Sequence, residues 1–217
     1  MKQITTFWNY FQKNEQEIFN AILLGINTEE VFFLFDKKLK YVSKKIGYII
    51  SCPEKPQDKF TLIFTGFGYR KLFAKIIALE EQAPTLKHFT PQAFIKPLKE
   101  VSKYRNGIDK PFIFGNYEIK ISELQLALLD YNVATKKIKL DLFVPNFHNI
   151  KHFDDLTSNI NWVLMQTIGE IAFHKHIKEI HLHQMPLEPQ GLLSLMELPD
   201  FIDYLYKINS TKKTRQI

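Results

Sequence analysis

The sequence has a single cysteine, Cys52, among its 217 residues. One cysteine cannot form a disulfide within the chain, which excludes the small disulfide-stabilised folds of secreted proteins. Long apolar runs are also missing: the densest ones, Ile18–Leu24 and Val31–Phe35, fall far short of the ~20 residues that span a bilayer. The opening segment Met1–Phe11 has polar residues throughout and no signal-peptide pattern. We therefore expect a cytoplasmic protein that does not contact a membrane.

Glycine is scarce, and large aromatic residues are abundant. Eight glycines stand against 19 phenylalanines and nine tyrosines. Because aromatic side chains bury large apolar areas, this composition excludes intrinsic disorder and predicts a packed core. A chain of this length can bury such a core in one large or two small domains.

Short catalytic and nucleic-acid signatures are absent too. The sequence contains no G-x-S-x-G nucleophile motif, no Walker loop and no zinc-finger, RNP, KH or helix-turn-helix pattern. Cys52 has no neighbouring residues that would activate a thiol. We therefore favour a protein that is not an enzyme and needs no cofactor.

An approximate duplication is the most informative feature that is present. Residues 46–97 and 124–185 each show the order strand, strand, helix, strand. The alternative is that element types alternate here without common ancestry. The predicted elements are Ile46–Cys52, Lys59–Thr65, Arg70–Gln82 and His88–Pro97 in the first copy, and Leu124–Val133, Lys136–Pro145, Asp155–Phe173 and Lys178–Met185 in the second.

These patterns predict an α+β fold of two ferredoxin-like ββαβ halves that form a largely antiparallel sheet, with flanking N- and C-terminal helices. Gly25 should end the first helix, and Asn27 should cap the second one together with Glu30. A short helix is expected over Leu192–Met196. We predict one domain over residues 1–208, divided into helices 1–45, a first half 46–100, a connector 101–116, a second half 117–186 and C-terminal helices 187–208, followed by a basic flexible tail 209–217.

Two carboxylates are candidate catalytic residues. Glu15, beside Asn14, falls on the apolar stripe of the first predicted helix, where partial desolvation would suit a carboxylate to acid or base chemistry. The structural alternative is that Glu15 binds a backbone amide or a lysine and ties the helix to the sheet. Glu170 flanks the core-facing stripe of the long helix, which includes Thr167 and Ile171. If Glu15 and Glu170 met, they would form a carboxylate pair.

Histidines are concentrated in the second half of the chain. Strand alternation places His181 and His183 on one face, where two imidazoles could chelate a transition metal with a third ligand from His174, His176 or Glu179. The alternative is a polar, solvent-facing strand. Because no recognised metal motif is present, we predict no metal site and keep His181 and His183 as weak candidates.

Glycines between a strand and a helix make a further candidate. Gly66 and Gly68, together with Asn14, are the candidate ligand-binding residues, because glycines before a helix let the backbone approach a phosphate. A tight turn accounts for the same pattern without a ligand.

The net charge of +6 raises the question of nucleic acid. Lysines gather near residues 37–45, 136–139 and 212–215, but helix ends, a hairpin and a polar terminus account for these groups. We therefore do not expect nucleic acid as a partner, and keep binding through these basic patches as an alternative function.

Several short motifs resemble a family of uncharacterised bacterial proteins. They are Phe7–Glu15, with an aromatic pair followed by Asn-Glu, the strand and turn Ile63–Gly68, Ala83-Pro84, Ala93-Phe94 and the late Gly169-Glu170. The resemblance spans most of the chain and implies an α+β bacterial cytoplasmic protein with no known activity. It adds Asn14, Glu15 and Glu170 as polar positions to test.

Taken together, these features predict a binding or regulatory module for another protein or a small ligand. The alternative from a different class is an enzyme that holds Glu15 and Glu170 in one pocket.

Overall fold

The computed structural model describes residues 2–53 and 55–213, with side chains as far as residue 205. The chain divides into two compact units, Met1–Ile95 and Lys96–Ile217. Both units combine helices with strands, and four of the six strand pairs in the described residues are antiparallel, which confirms the α+β class. Among the described residues, no helix has the length and apolar character needed to cross a membrane.

The first unit has a three-stranded sheet with the order β1-β2-β3. Strands β1 and β2 are antiparallel, whereas β2 and β3 are parallel and are joined through α3. Its elements are α1 (Lys2–Leu24), α2 (Thr28–Val42), β1 (Gly47–Ser51), β2 (Phe60–Thr65), α3 (Phe73–Glu81) and β3 (Phe89–Ala93).

Aromatic side chains form the core of the first unit. Phe7 meets Phe35 and Phe64 edge-on, with ring centroids 5.7 and 5.9 Å apart. The indole Nε1 of Trp8 donates to the carbonyl of Leu79 at 3.0 Å, which gives this buried ring a polar partner. The aromatic pair of α1 therefore binds the helix to both the sheet and α3.

The helix boundaries near residue 25 agree with prediction, but the cap does not. Gly25 has φ 68° and follows the last residue of α1. Asn27 precedes α2 in a left-handed conformation (φ 51°), and its side chain makes no capping hydrogen bond. The predicted capping box with Glu30 is therefore wrong, because a capping side chain needs an extended backbone to reach the first helical amides.

The second unit has two sheets, the hairpin β4-β5 and a four-stranded sheet with the order β8-β7-β6-β9. In the larger sheet, β7 is antiparallel to β6 and parallel to β8. The elements of the second unit are α4 (Val101–Arg105), β4 (Phe112–Phe114), β5 (Tyr117–Ile119), β6 (Gln125–Asn132), β7 (Lys137–Val144), α5 (Phe147–Ile150), α6 (Leu156–Ile168), α7 (Glu170–His176), β8 (Ile177–Gln184), β9 (Leu193–Ser194) and α8 (Leu198–Lys213).

The same element order recurs in both units. Each has an antiparallel strand pair followed by a helical crossover to a strand that is parallel to the second member of the pair. This order agrees with the predicted strand, strand, helix, strand pattern. The described strands form three separate sheets, and the crossovers make one pair in each larger sheet parallel. A parallel pair needs such a long connection, whereas a short turn suffices for an antiparallel pair.

Three local predictions need correction. The predicted connector 101–116 contains α4 and β4, because Phe112 and Phe114 have a strand partner in β5 and pack on the core. The helix predicted over Leu192–Met196 is instead β9 followed by a 3-10 turn, since Leu193 pairs with β6. Helix α8 continues to Lys213, past the predicted start of the tail at residue 209, and residues 214–217 lie outside the described part of the chain.

Candidate functional site

The outward face of β7 and β8 brings together a carboxylate and two imidazoles. Alternate residues of β7 are buried, and those between them, including Asp141 and Phe143, are half-buried on the opposite face. Parallel pairing sets Asp141 opposite His181, and Phe143 opposite His183. Because side chains alternate along a strand, Asp141, His181 and His183 share one face of the sheet.

The three side chains converge closely. Asp141 Oδ1 lies 3.0 Å from His183 Nε2 and 3.5 Å from His181 Nδ1. One potential metal-ligand atom from each residue lies within 4.8 Å of those of the other two. The side chain of Asp141 is 24% exposed, and those of the two histidines are 43% and 45% exposed, so the group is open to solvent.

These separations suit a small cation. Zinc bonds to imidazole nitrogen and carboxylate oxygen are about 2.0–2.2 Å long, which places two ligand atoms of a tetrahedral site about 3.3 Å apart. The two distances from Asp141 Oδ1 bracket that value. At 3.0 Å, His183 Nε2 donates a hydrogen bond to Asp141 Oδ1 in the metal-free chain, so an ion must displace that proton to bind there. With that proton displaced, Asp141, His181 and His183 could hold a divalent transition metal and leave at least one coordination position open.

A second carboxylate supports His181 from its other side. Glu179 Oε1 lies 2.9 Å from His181 Nε2, and Glu179 Oε2 lies 2.8 Å from Lys139 Nζ. The hydrogen bonds from His181 and Lys139 lower the pKa of Glu179 from 4.5 to about 2, and the same ion pair raises the pKa of Lys139. Glu179 therefore carries a negative charge throughout the neutral range.

Comparison of the chain with family models, curated proteins and solved structures gave no match.

Strand alternation predicted the two histidines of this group but not its carboxylate. Asp141 was missed because it lies on a different strand, and only the parallel register of β7 and β8 brings it to His181. The alternation along β7 predicts that Asp141 lies on the outward face of its strand. Only the strand order shows that β8 with its histidines is the neighbour of that strand. Glu179, one of the predicted third ligands, instead contacts the nitrogen of His181 that faces away from Asp141.

The other two histidines that we considered as ligands lie on α7. Burial lowers the pKa of both His174 and His176. His176 Nδ1 lies 3.3 Å from the carbonyl of Lys136, and the carbonyl of His174 accepts a hydrogen bond from Lys137 Nζ at 2.6 Å. These contacts fix the end of α7 where β8 begins.

Glu15 makes the contact that its structural alternative predicts. Its Oε1 accepts a hydrogen bond from the backbone N–H of His88 at 2.6 Å. The imidazole of His88 also stacks on Phe19 with ring centroids 4.0 Å apart, and its Nε2 lies 3.1 Å from Gln16 Oε1. Since the carbonyl of His88 accepts from the amide of Phe60, these contacts connect α1 to the start of β2 and β3.

Asn14, the residue beside Glu15, is engaged within its own helix. Its Nδ2 donates to the carbonyl of Tyr10 at 2.7 Å. This contact shows a use for the amide that requires no ligand.

Glu170 is fully buried, because the predicted long helix is interrupted. Gly169 has φ 84° and ψ 148°, so α6 ends at Ile168 and α7 begins at Glu170. The break changes which side chains face the core: Glu170 is 0% exposed, whereas Ile171, predicted to face the core, is 44% exposed. The charge of Glu170 acts on His174, whose pKa it raises against the larger effect of burial. Glu15 and Glu170 belong to different units, and the carboxylate pair stays a prediction.

Backbone amides of the turn that contains Gly66 and Gly68 form hydrogen bonds within the turn itself. The N–H of Tyr69 donates to the carbonyl of Gly66, and the N–H of Phe67 donates to Thr65 Oγ1. A Cβ atom on Gly66 would lie 2.9 Å from Ile76 Cδ1, so the end of that buried side chain would have to shift to accept any larger residue. These contacts account for the turn without a phosphate, and binding at Gly66 and Gly68 stays a prediction.

Proposed function

We propose that this protein is a binding module whose small ligand is a divalent transition-metal ion held by Asp141, His181 and His183. The observation that carries the proposal is the convergence of one carboxylate oxygen and two imidazole nitrogens within 4.8 Å. Two nitrogens and one oxygen form a donor set that suits zinc, cobalt, nickel or iron rather than magnesium or calcium.

The openness of the site favours binding over catalysis. The three side chains lie on a sheet face and are 24–45% exposed. Enzyme sites are concave and exclude water around the reacting atoms. An ion on this face would complete its coordination with water or with a group from a partner, which fits a binding or regulatory role.

Metal titration of the tag-free chain tests this proposal. We expect one Zn²⁺ per chain by isothermal titration calorimetry, with release of the ion to a chelator. Asp141→Asn removes the charge of one ligand and His183→Gln removes the imidazole of another, so affinity should fall in each variant by at least the ~10–100-fold that follows the loss of a supporting residue. His148→Gln is the matched control, because His148 is an exposed histidine of the same unit outside the group.

Two outcomes would overturn the proposal. One is the absence of stoichiometric Zn²⁺ binding by the wild-type chain. The other is equal affinity in Asp141→Asn, His183→Gln and His148→Gln, because binding would then be independent of the three converging residues.

We propose that the two ββαβ units are ferredoxin-like and arose by duplication, on the support of their shared element order and strand pairing. The short-motif resemblance supports a bacterial cytoplasmic protein.

The alternative functions have less support. Glu15 of the enzyme alternative is engaged with the amide of His88. In the second lysine group of the nucleic-acid alternative, Lys137 donates to the carbonyls of His174 and Ile177, and Lys139 pairs with Glu179.

A further inference from the structure

Glu179 contacts the nitrogen of His181 that does not face the metal ligands. A neutral imidazole carries a proton on only one nitrogen, and the other nitrogen has the lone pair that binds a metal. A carboxylate with an ordinary pKa is ionised at neutral pH and can only accept a hydrogen bond, so the 2.9 Å contact of Glu179 Oε1 with Nε2 requires the proton to be there. Nδ1 then carries a lone pair and faces Asp141 Oδ1 at 3.5 Å.

From this geometry we infer that Glu179 is a positioning residue that fixes the Nε2–H tautomer of His181 and so directs Nδ1 toward the metal. The inference rests on the proposed metal-binding function and adds how His181 is prepared for it. Carboxylates commonly support metal-bound histidines in this way, by accepting a hydrogen bond from the ring nitrogen that does not bind the ion.

Lys139 fixes the orientation of Glu179 in turn. Its Nζ binds Oε2 at 2.8 Å, which leaves Oε1 for His181. Strand pairing sets Lys139 opposite Glu179, immediately after a shift of register between Ile138 and Lys139. A lysine ammonium has only hydrogen-bond donors, so Lys139 can bind only an oxygen of the carboxylate or amide group at the end of side chain 179.

Because Lys139 can bind only an oxygen, Glu179→Gln tests whether residue 179 sets the tautomer of His181. Lys139 will bind the single amide oxygen of the glutamine, which turns the NH₂ group toward His181 Nε2. Because NH₂ is a donor, Nε2 must become the acceptor and the proton must move to Nδ1. The substitution should therefore invert the tautomer of His181 and block the nitrogen that faces Asp141.

Removing the lysine should reverse the effect. In Lys139→Met/Glu179→Gln, the amide is free to rotate and present its oxygen to His181, so the Nε2–H tautomer should return. Lys139→Met alone should retain it, because Glu179 still accepts from Nε2. Glu188→Gln is the control for loss of one carboxylate charge, since Glu188 is exposed and lies outside these contacts.

The experiment combines two measurements on each variant. Long-range ¹H–¹⁵N NMR spectra of the metal-free protein at about pH 8, where histidine is mostly neutral, report which ring nitrogen is protonated. The signal of His181 is assigned by its loss in His181→Gln. Calorimetric titration with Zn²⁺ then gives the affinity. We expect inversion and a ~10–100-fold weaker affinity in Glu179→Gln, with both effects largely reversed in the double variant.

The outcomes separate this inference from the proposed function. Failure of the wild-type chain to bind Zn²⁺ overturns the proposed function, and the NMR spectra still test the tautomer. If wild type binds Zn²⁺ but Glu179→Gln keeps its tautomer or its affinity, the inference is wrong and the metal site stands. If affinity falls in Glu179→Gln and equally in Glu188→Gln, net charge is responsible, which also overturns the inference.

Discussion

The hydrogen bond from His88 to Glu15 should stabilise the first unit measurably. The bond is 2.6 Å long, and both the acceptor and the donor are partly buried where α1 meets the sheet. Hydrogen bonds to charged groups contribute about 1.5–3 kcal/mol, whereas those between neutral groups contribute about 0.5–1.5 kcal/mol. Glu15→Gln keeps an acceptor oxygen but loses the charge, so its free energy of unfolding should fall by about 1 kcal/mol.

Glu15→Ala should have a larger effect, because it leaves the amide of His88 without its partner. We expect a loss of about 1.5–3 kcal/mol, the contribution of a hydrogen bond to a charged group, because the partly buried amide loses that bond. Glu17 is an exposed glutamate two residues further along the same helix. Glu17→Gln and Glu17→Ala are therefore matched controls, and each should change the free energy of unfolding by less than about 0.5 kcal/mol.

Urea unfolding followed by tryptophan fluorescence is a suitable assay. The chain has two tryptophans, one in each unit. In a Trp162→Phe background, Trp8 becomes the only tryptophan and reports on the first unit, where it is 3% exposed. Equal midpoints for Glu15→Ala and Glu17→Ala would refute the reasoning, because the hydrogen bond would then contribute nothing and the carboxylate would be available for another role.

Three further predictions concern stability. Burial lowers the pKa of His174 and His176 in the folded chain below the ordinary value of 6.5, so the unfolded chain takes up protons more readily. The free energy of unfolding should therefore be highest above about pH 6.5 and decline as the pH falls toward the lowered pKa values. Between about pH 7.5 and 5.5, urea titrations should show a smaller decline for the double variant His174→Gln/His176→Gln than for the wild type. An equal decline in both would contradict the assignment to these two histidines. Gly66→Ala should destabilise by about 1 kcal/mol, the lower end of overpacking costs, because the atom that its Cβ would meet at 2.9 Å, Ile76 Cδ1, is the end of a side chain that can shift. An unchanged thermal midpoint would show that the core yields freely. Trp8→Phe removes the indole N–H that the carbonyl of Leu79 in α3 accepts from, so the free energy of unfolding measured in urea should fall by about 1–3 kcal/mol. A fall below about 0.5 kcal/mol would mean that this carbonyl finds another partner.

Local patterns predicted most elements of the fold. The alternation along β7 and the helical stripe of α1 are set by neighbouring residues, so their periods are visible in the sequence. The break at Gly169 was missed because apolar residues continue on both sides of it, and only the backbone angles show the change of phase. A two-residue strand such as β9 is formed by its pairing with β6, which no local pattern specifies.

The candidate site was predictable only in part, for the same reason. His181 and His183 are two residues apart on one strand, so alternation alone puts them on one face. Asp141 joins them through the register between two strands, and register depends on packing across the whole sheet. The contact of Glu15 with a backbone amide could be named as an alternative, but its donor, 73 residues away along the chain, could not.

The crossover between β7 and β8 also determines when the three proposed metal ligands come together during folding. Asp141 and His183 are 42 residues apart along the chain, and α5, α6 and α7 lie between their strands. Contacts of such separation form only after the intervening loop has closed, and their closure entropy slows folding. A metal ion that needs both strands would therefore act after this step, so it should slow the unfolding of the second unit much more than it speeds its folding.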